Sequence, residues 1–493
     1  MHALRILPQF LMLAVAFAMV SMSTSCLSDD EFTTSPLAIL TSSADTVAFD
    51  TVITGRPSAA QRIWIYNHAT EGVRISRMWM EGGTSSPFRA NADGTMFVDG
   101  SATNLEIGAK DSLCVFLFVN IPATDDDTPV SQTDRLLFMT EGGAQGAIVL
   151  TASGLNVNVL GTTVISSDTT LGGKKPYLIT DSLFIAPGAT LKLEAGTTLL
   201  FHAKASLIVG GTLKAVGTLA KPITLRGDRL DNMFDGQPYD RIPGQWGSIV
   251  IKKESYANEL KFCHIHSATE GIVCDSSNID REKLRIESSV VHNVAGDALR
   301  ACMSRIVVIN SQITNARGNC VNLQGGHSLF VHCTIANFYP FVGGRGPALS
   351  YTNGTAQTSW PLTQARFANC IITGYSSDEI MAYPCDDESR AFNFKFENSL
   401  LCTDSIQAEQ IVQCCWDNNT KTVWREKNFE PEFDLDYLLF SFTLSEKSQA
   451  VGRANPEISQ EFCPADLAGI PRGATPCMGC YEYVPPASNA LRK

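Results

Sequence analysis

The chain has 493 residues, of which 44% are hydrophobic and 18% charged, and its formal net charge is −12 with a pI near 5.2. That balance excludes a disordered chain, which could not bury enough apolar surface to fold. The acidic excess, with no basic run, excludes a nucleic-acid partner, and the length leaves room for two or three domains.

Residues 1–25 read as a targeting segment. Arg5 supplies a positive start, and "ILPQFLMLAVAFAMV" (6–20) is an apolar run too short to span a bilayer comfortably. Small residues in "SMSTSC" then lead into Cys26. This stretch resembles the lipobox of bacterial lipoproteins, with Ser23 standing where a bulky aliphatic is usual. The resemblance implies lipidation of the Cys26 thiol and a membrane lipid anchor. "SDDE" (28–31), within the segment 26–35, resembles the acidic tether of Bacteroidetes lipoproteins that reach the cell surface. The expected location is therefore the outer membrane, with the body of the protein exposed.

Residues 36–160 alternate apolar and polar positions in runs such as "QRIWIYNH", "SLCVFLFVNI" and "AIVLTASGLNVNVL", separated by Gly, Asn, Asp and Pro. Period-two alternation broken by turn residues predicts short strands. The sequence of phrases resembles periplasmic and ciliary Ig-like modules, which implies an Ig-like β-sandwich. Asp125, Asp126 and Asp127 sit in a loop that reads as solvated, with calcium only an unsupported option.

From 161 the texture changes to very short strands rich in Gly, Asn and Ser. Six phrases align on a small residue: Cys263, Ser289, Ser311, Cys333, Cys370 and Ser399, at spacings of 26, 22, 22, 37 and 29. An aliphatic follows two residues later, at Ile265, Val291, Ile313, Ile335, Ile372 and Leu401. An apolar residue precedes by three, at Leu260, Ile286, Val308, Phe330, Phe367 and Phe396. Strict alternation would put that preceding residue on the opposite face from the small one. A tight turn between them, at Asn310, His332, Asn369 and Asn398, returns both to the inside, because Asn tolerates left-handed backbone. A 22-residue period is one β-helix coil. The pattern resembles the single-stranded right-handed parallel β-helix of pectate-lyase-like proteins, expected over 161–442. The fold class is therefore all-β: an Ig-like sandwich followed by a parallel β-helix. The segment 443–493, with Asp466, Gly469, Arg472, Gly479, Tyr481 and Glu482, resembles the closing segment of related surface β-helices and is expected to cap the C-terminal end.

A second strand repeats in "GIVCDS", "GDALRA", "GNCVNL", "GPALSY" and "DEIMAY". Its inward column reads Cys274, Leu299, Val321, Leu349 and Met381. The outward neighbours Asp275, Arg300, Asn322 and Ser350 then form the candidate ligand-binding face. Trp246, Trp360, Trp416 and Trp424 fall in or near loops, where an indole could stack on a sugar ring. Fifteen cysteines are present. Those in the small inward slot read as buried apolar residues, whereas Cys463 is expected to pair with Cys477 or Cys480.

Lyases of the pectate-lyase-like group use an Asp cluster that binds calcium, and galacturonases of the same fold use three Asp with a G-H-G. Here one Asp lies beside one Arg, and "GGHS" (325–328) has no Asp pair next to it. His264 and His266 are an incomplete metal set, so no metal is assigned. With no complete catalytic set and no cofactor motif, the leading expectation is a non-catalytic surface lipoprotein that binds an extended polysaccharide. The alternatives are a polysaccharide lyase or glycoside hydrolase, and an adhesin or structural stalk.

Overall fold

The computed structural model describes residues 31–485 apart from 235, 418–426, 431–433, 435 and 439. The leader, Cys26, the first half of the tether and Trp424 lie outside the described residues. No helix among the described residues is long and apolar enough to cross a membrane. Two compact units divide between Leu155 and Asn156.

The first unit is a sandwich of one six-stranded and one five-stranded sheet. Period two explains it. In Gln61–Asn67, Ile63 and Ile65 are buried while Arg62 faces solvent. Ile63, Ile65, Val115 and Leu117 from one sheet meet Ile75, Met78, Leu136 and Ile148 from the other in one core.

The second unit is a parallel β-helix built from three parallel sheets of eleven, nine and ten strands, here called sheets 1, 2 and 3. Each coil visits them in turn. Cys263–His266 lies in sheet 1, Ile272–Cys274 in sheet 2 and Glu282–Glu287 in sheet 3. The chain then returns to sheet 1 at Val290–Val294, parallel to where it began. All three columns of the repeated phrase are at most 2% exposed. The residue between sheet 3 and sheet 1 is left-handed in every one of these coils, with φ of 48° at Phe262, 46° at Ser288, 51° at Asn310, 50° at His332, 54° at Asn369 and 46° at Asn398. This single reversal brings both flanking apolar positions inside. Stacked coils then align like with like. The rings of Phe330, Phe367 and Phe396 stack with centroids 4.8 and 5.0 Å apart, each pair adding about 0.5–1.5 kcal/mol beyond its buried area.

The tail follows a path different from the expected end cap: it runs along the flank. Phe442, Leu444, Ala450 and Met478 bury the outer face of sheet 1 at Ala336, Ile371 and Leu400. The helix Pro456–Phe462, capped by Asn455, lays Ile458 against Val307, Ile309, Val331 and Ala368 on sheet 3. Between them the tail clasps the left-handed corners. Asn369 donates to Asn455 O (2.9 Å) and accepts from Asn455 N (2.8 Å), Arg472 reaches Asn310 (3.0 Å), and His332 meets Gly479 O (3.1 Å) and Ser459 Oγ (2.8 Å). The physical reason is that those outer faces carry apolar residues in the later coils, which must be covered.

The expected pairing of Cys463 is also corrected. Cys463 packs on the sheet 3 side and Cys477 on the sheet 1 side, while Cys480 bonds Thr334, and all three are free thiols.

Candidate functional site

With sheets 1 and 3 overlaid by the tail in the later coils, sheet 2 is the flank whose outward row can be followed from end to end. In register it reads Val164, Phe184, Ile208, Val250, Val273, Arg300, Asn322, Ser350 and Met381. At about 4.8 Å per strand this row is roughly 38 Å long. Its first five rungs are apolar yet accessible, with Val164 58% and Phe184 37% exposed. The next three are polar, with Arg300 and Asn322 partly exposed and Ser350 only 9% exposed.

Three of the four expected face residues therefore share one row, and Asp275 does not. Arg300 pairs with Val273, and Cys274 pairs with Ala301, so Asp275 lies two positions further along. It sits 3.5 Å from Lys252 Nζ instead. The inward column is likewise Ile272, Leu299, Val321, Leu349 and Ile380 rather than one running through Cys274 and Met381. The slip arises at Asp297–Ala298, which lengthens the turn by two residues relative to Gly271–Ile272. A shift of two keeps Cys274 inside, whereas the shift of one at Met381 turns it outward.

Among the described residues Arg300 makes no hydrogen bond or ion pair, and its Nε is buried without a partner, as is that of Arg305 on sheet 3. What sets Arg300 apart from Arg305 is its place on the outward row of sheet 2, where its guanidinium can donate to an acceptor from outside. Asn322 beside it donates Nδ2 to Asp297 Oδ2 at 2.7 Å. Asp297 Oδ1 accepts from both the backbone and side-chain nitrogens of Asn319, at 2.7 and 2.8 Å. Glu270, one coil earlier, accepts from Asp297 N at 3.0 Å. Burial pushes the Glu270 carboxyl up, with the Asp297 charge adding to it and Arg300 opposing. Gly296 makes room for this carboxylate, since a Cβ there would stand 2.5 Å from Oε1. Glu270, Asp297 and Asn319 escaped the sequence reading because isolated acids and amides beside glycines look like ordinary turn residues.

The histidines divide. His264 faces solvent, whereas His266 is buried, stacked on His292 at 5.0 Å and 3.1 Å from Asp240 Oδ1. Burial pushes both His266 and His292 down to about 3. Among the described residues no three His, Cys, Asp or Glu side chains converge on a metal-sized site. Trp246 is core, fully buried and stacked on Phe201 at 4.4 Å. Trp360 and Trp416 are half-buried.

No protein-family model matches the chain, and no curated protein matches it. Among solved structures, the PapD-like domain 7 of human CEP192 is similar at 11% identity and a TM-score of 0.18, over 24% of this chain and 88% of that one. A protein of unknown function from Porphyromonas gingivalis W83 is similar at 11% identity and a TM-score of 0.18, over 26% and 60%. A GH87 alpha-1,3-glucanase catalytic domain in complex with nigerose is similar at 9% identity and a TM-score of 0.20, over 73% and 88%. Likenesses at this level assign no activity.

Proposed function

We propose that the protein is a lipid-anchored, surface-exposed binder of an extended glycan, tethered through Cys26 and engaging its ligand along the outward row of sheet 2. The observation that carries this reading is the unpartnered Arg300, set between apolar rungs and the polar pair Asn322 and Ser350. A regular row of side chains at a repeat of about 4.8 Å suits a linear polymer better than a compact ligand. The apolar rungs would meet ring faces and the polar rungs hydroxyl or carboxyl groups.

A binding role is favoured over hydrolysis by how the two nearby carboxylates are used. Inverting hydrolysis needs one free acid and one free base. Asp297 is committed on both oxygens to Asn319 and Asn322, and Glu270 braces the Asp297 amide. Both hold turns together. A lyase or hydrolase remains the second reading because Glu270 is pushed up, as a general acid would be.

The test is a screen of lipid-free protein, residues 27–493, against neutral and uronic-acid polysaccharides with and without calcium. Gel retardation, new reducing ends and ultraviolet absorbance of unsaturated products are read together. Retardation that is lost in Arg300→Ala, without products, supports the proposal. Product formation lost in Glu270→Gln refutes the binding-only role. For the anchor, Cys26→Ser is expected to move the protein from the membrane fraction to the soluble one.

A further inference from the structure

The connection from Thr334–Asn337 in sheet 1 to Leu349–Thr352 in sheet 2 runs over 338–348. Both of its ends are fastened. Asn337 Nδ2 donates to Ala316 O and Gly346 O, each at 2.9 Å, and Gly346 N donates to Arg317 O at 2.9 Å. Phe338 is fully buried and edge-on to Tyr375 at 5.1 Å. Between these fastenings, 340–344 arches outward and leaves an open cavity of about 500 Å³ against the next coil, lined by Tyr339, Pro340, Val342, Arg345, Tyr375 and Ser376 with Gly343 and Gly344.

The chemistry of this cavity is polar but uncharged. Arg345 donates Nη1 and Nη2 to Glu379 at 3.1 and 2.6 Å, and Glu379 also accepts from Ser376 N and Ala348 N at 2.7 and 2.9 Å. Its charge is fully engaged, so the cavity has no cation to offer an anion. Tyr339 is 5% exposed and packed on Phe341 at 5.0 Å, so the partly exposed ring is that of Tyr375, while Ser376 and the peptide groups supply polar edges. The two glycines are the telling feature. A Cβ at Gly343 or Gly344 would meet no atom within 4 Å, and neither residue has a left-handed φ. The fold therefore does not require glycine at either position. What a side chain there would obstruct is the approach of something from outside.

We propose that this cavity is a subsite for a single neutral pyranose residue of the bound glycan, an inference that rests on the glycan-binding reading above. A pyranose matches it in kind: an apolar ring face for the partly exposed Tyr375, and hydroxyl edges for Ser376 and the exposed backbone. The connection that forms the cavity leads directly into Leu349–Thr352, the sheet 2 strand that carries Ser350.

Gly343→Val and Gly344→Val test this, because the open space around both positions leaves folding undisturbed. Full-length mature protein is titrated calorimetrically with neutral hexose oligosaccharides and with uronic-acid oligosaccharides of equal length, with Arg300→Ala in parallel. A roughly tenfold weakening of neutral oligosaccharides in either valine variant, at unchanged Tm, is the expected result. Unchanged affinity in both valine variants, with weakening in Arg300→Ala, overturns the subsite and leaves the glycan reading standing. Tighter binding of the uronic series that the valines weaken equally overturns the neutral class. Wild type that binds neither series removes both proposals.

Discussion

Replacing Asn369 by alanine should loosen the tail far more than the same change at Asn398. Both residues occupy the left-handed corner, with φ of 54° and 46°. Alanine there costs about 1–2 kcal/mol for the backbone alone. At Asn398 little else is lost, since its side chain bonds only the exposed Gln413 at 3.0 Å. At Asn369 the side chain is buried and holds Asn455 N and O at 2.8 and 2.9 Å and His332 Nε2 at 2.9 Å. His332 belongs to the neighbouring coil, but the two bonds to Asn455 and a longer one to Ser459 Oγ at 3.4 Å join coil to tail, and at about 1 kcal/mol each they put about 3 kcal/mol into that tether. The difference between the variants should therefore appear as local opening of Pro456–Phe462, with native-state hydrogen exchange there roughly 100-fold faster in Asn369→Ala than in Asn398→Ala. Asn369→Gly should recover part of the backbone cost and none of the tether. Equal exchange in the two alanine variants would refute the assignment of the corner amide as the tail's fastening.

Acid should destabilise the second unit through His266 and His292. Their folded pKa lies below the ordinary histidine value, so the unfolded state takes up more protons. Stability is therefore whole above about pH 6.5 and falls below it by about 1.4 kcal/mol per pH unit for each histidine. Asp240, Arg226 and His264 surround the pair, and His292→Gln should flatten the slope in urea unfolding between pH 6.5 and 4.5. Thiol titration of the native protein should leave Cys263 and Cys274 unreacted, since burial pushes both up to about 12. Adding a reductant should leave Tm unchanged, because the described cysteines are free. Arg345→Ala should destabilise by about 3–5 kcal/mol, measured by chemical unfolding, since it strands the wholly buried Glu379 carboxylate.

The β-helix was legible because its information is local. Three columns and a corner amide recur within ten residues, and each has one physical meaning. The row on sheet 2 was less so. Strands of three or four residues between turns of unequal length carry too little pattern to fix register, and aligning on glycine displaced Asp275 by two. Trp246 looked like a loop residue because its burial depends on Phe201, which belongs to an earlier coil. The Glu270–Asp297–Asn319 brace and the course of the tail were not legible at all. Each depends on residues brought together from different coils, and for Arg472 and Asn310 the partners stand 162 positions apart.

That last separation bears on how the molecule comes apart. A stack of coils is nearly one-dimensional: each rung feels only its neighbours, so it can fray from an end one layer at a time. The tail breaks this rule, because one segment grips the corners at Asn310, His332 and Asn369 together. Peeling any one of these layers then disturbs contacts made by the other two. The belt turns a zipper into a unit that yields all at once, in the coils that carry Asn322 and Ser350.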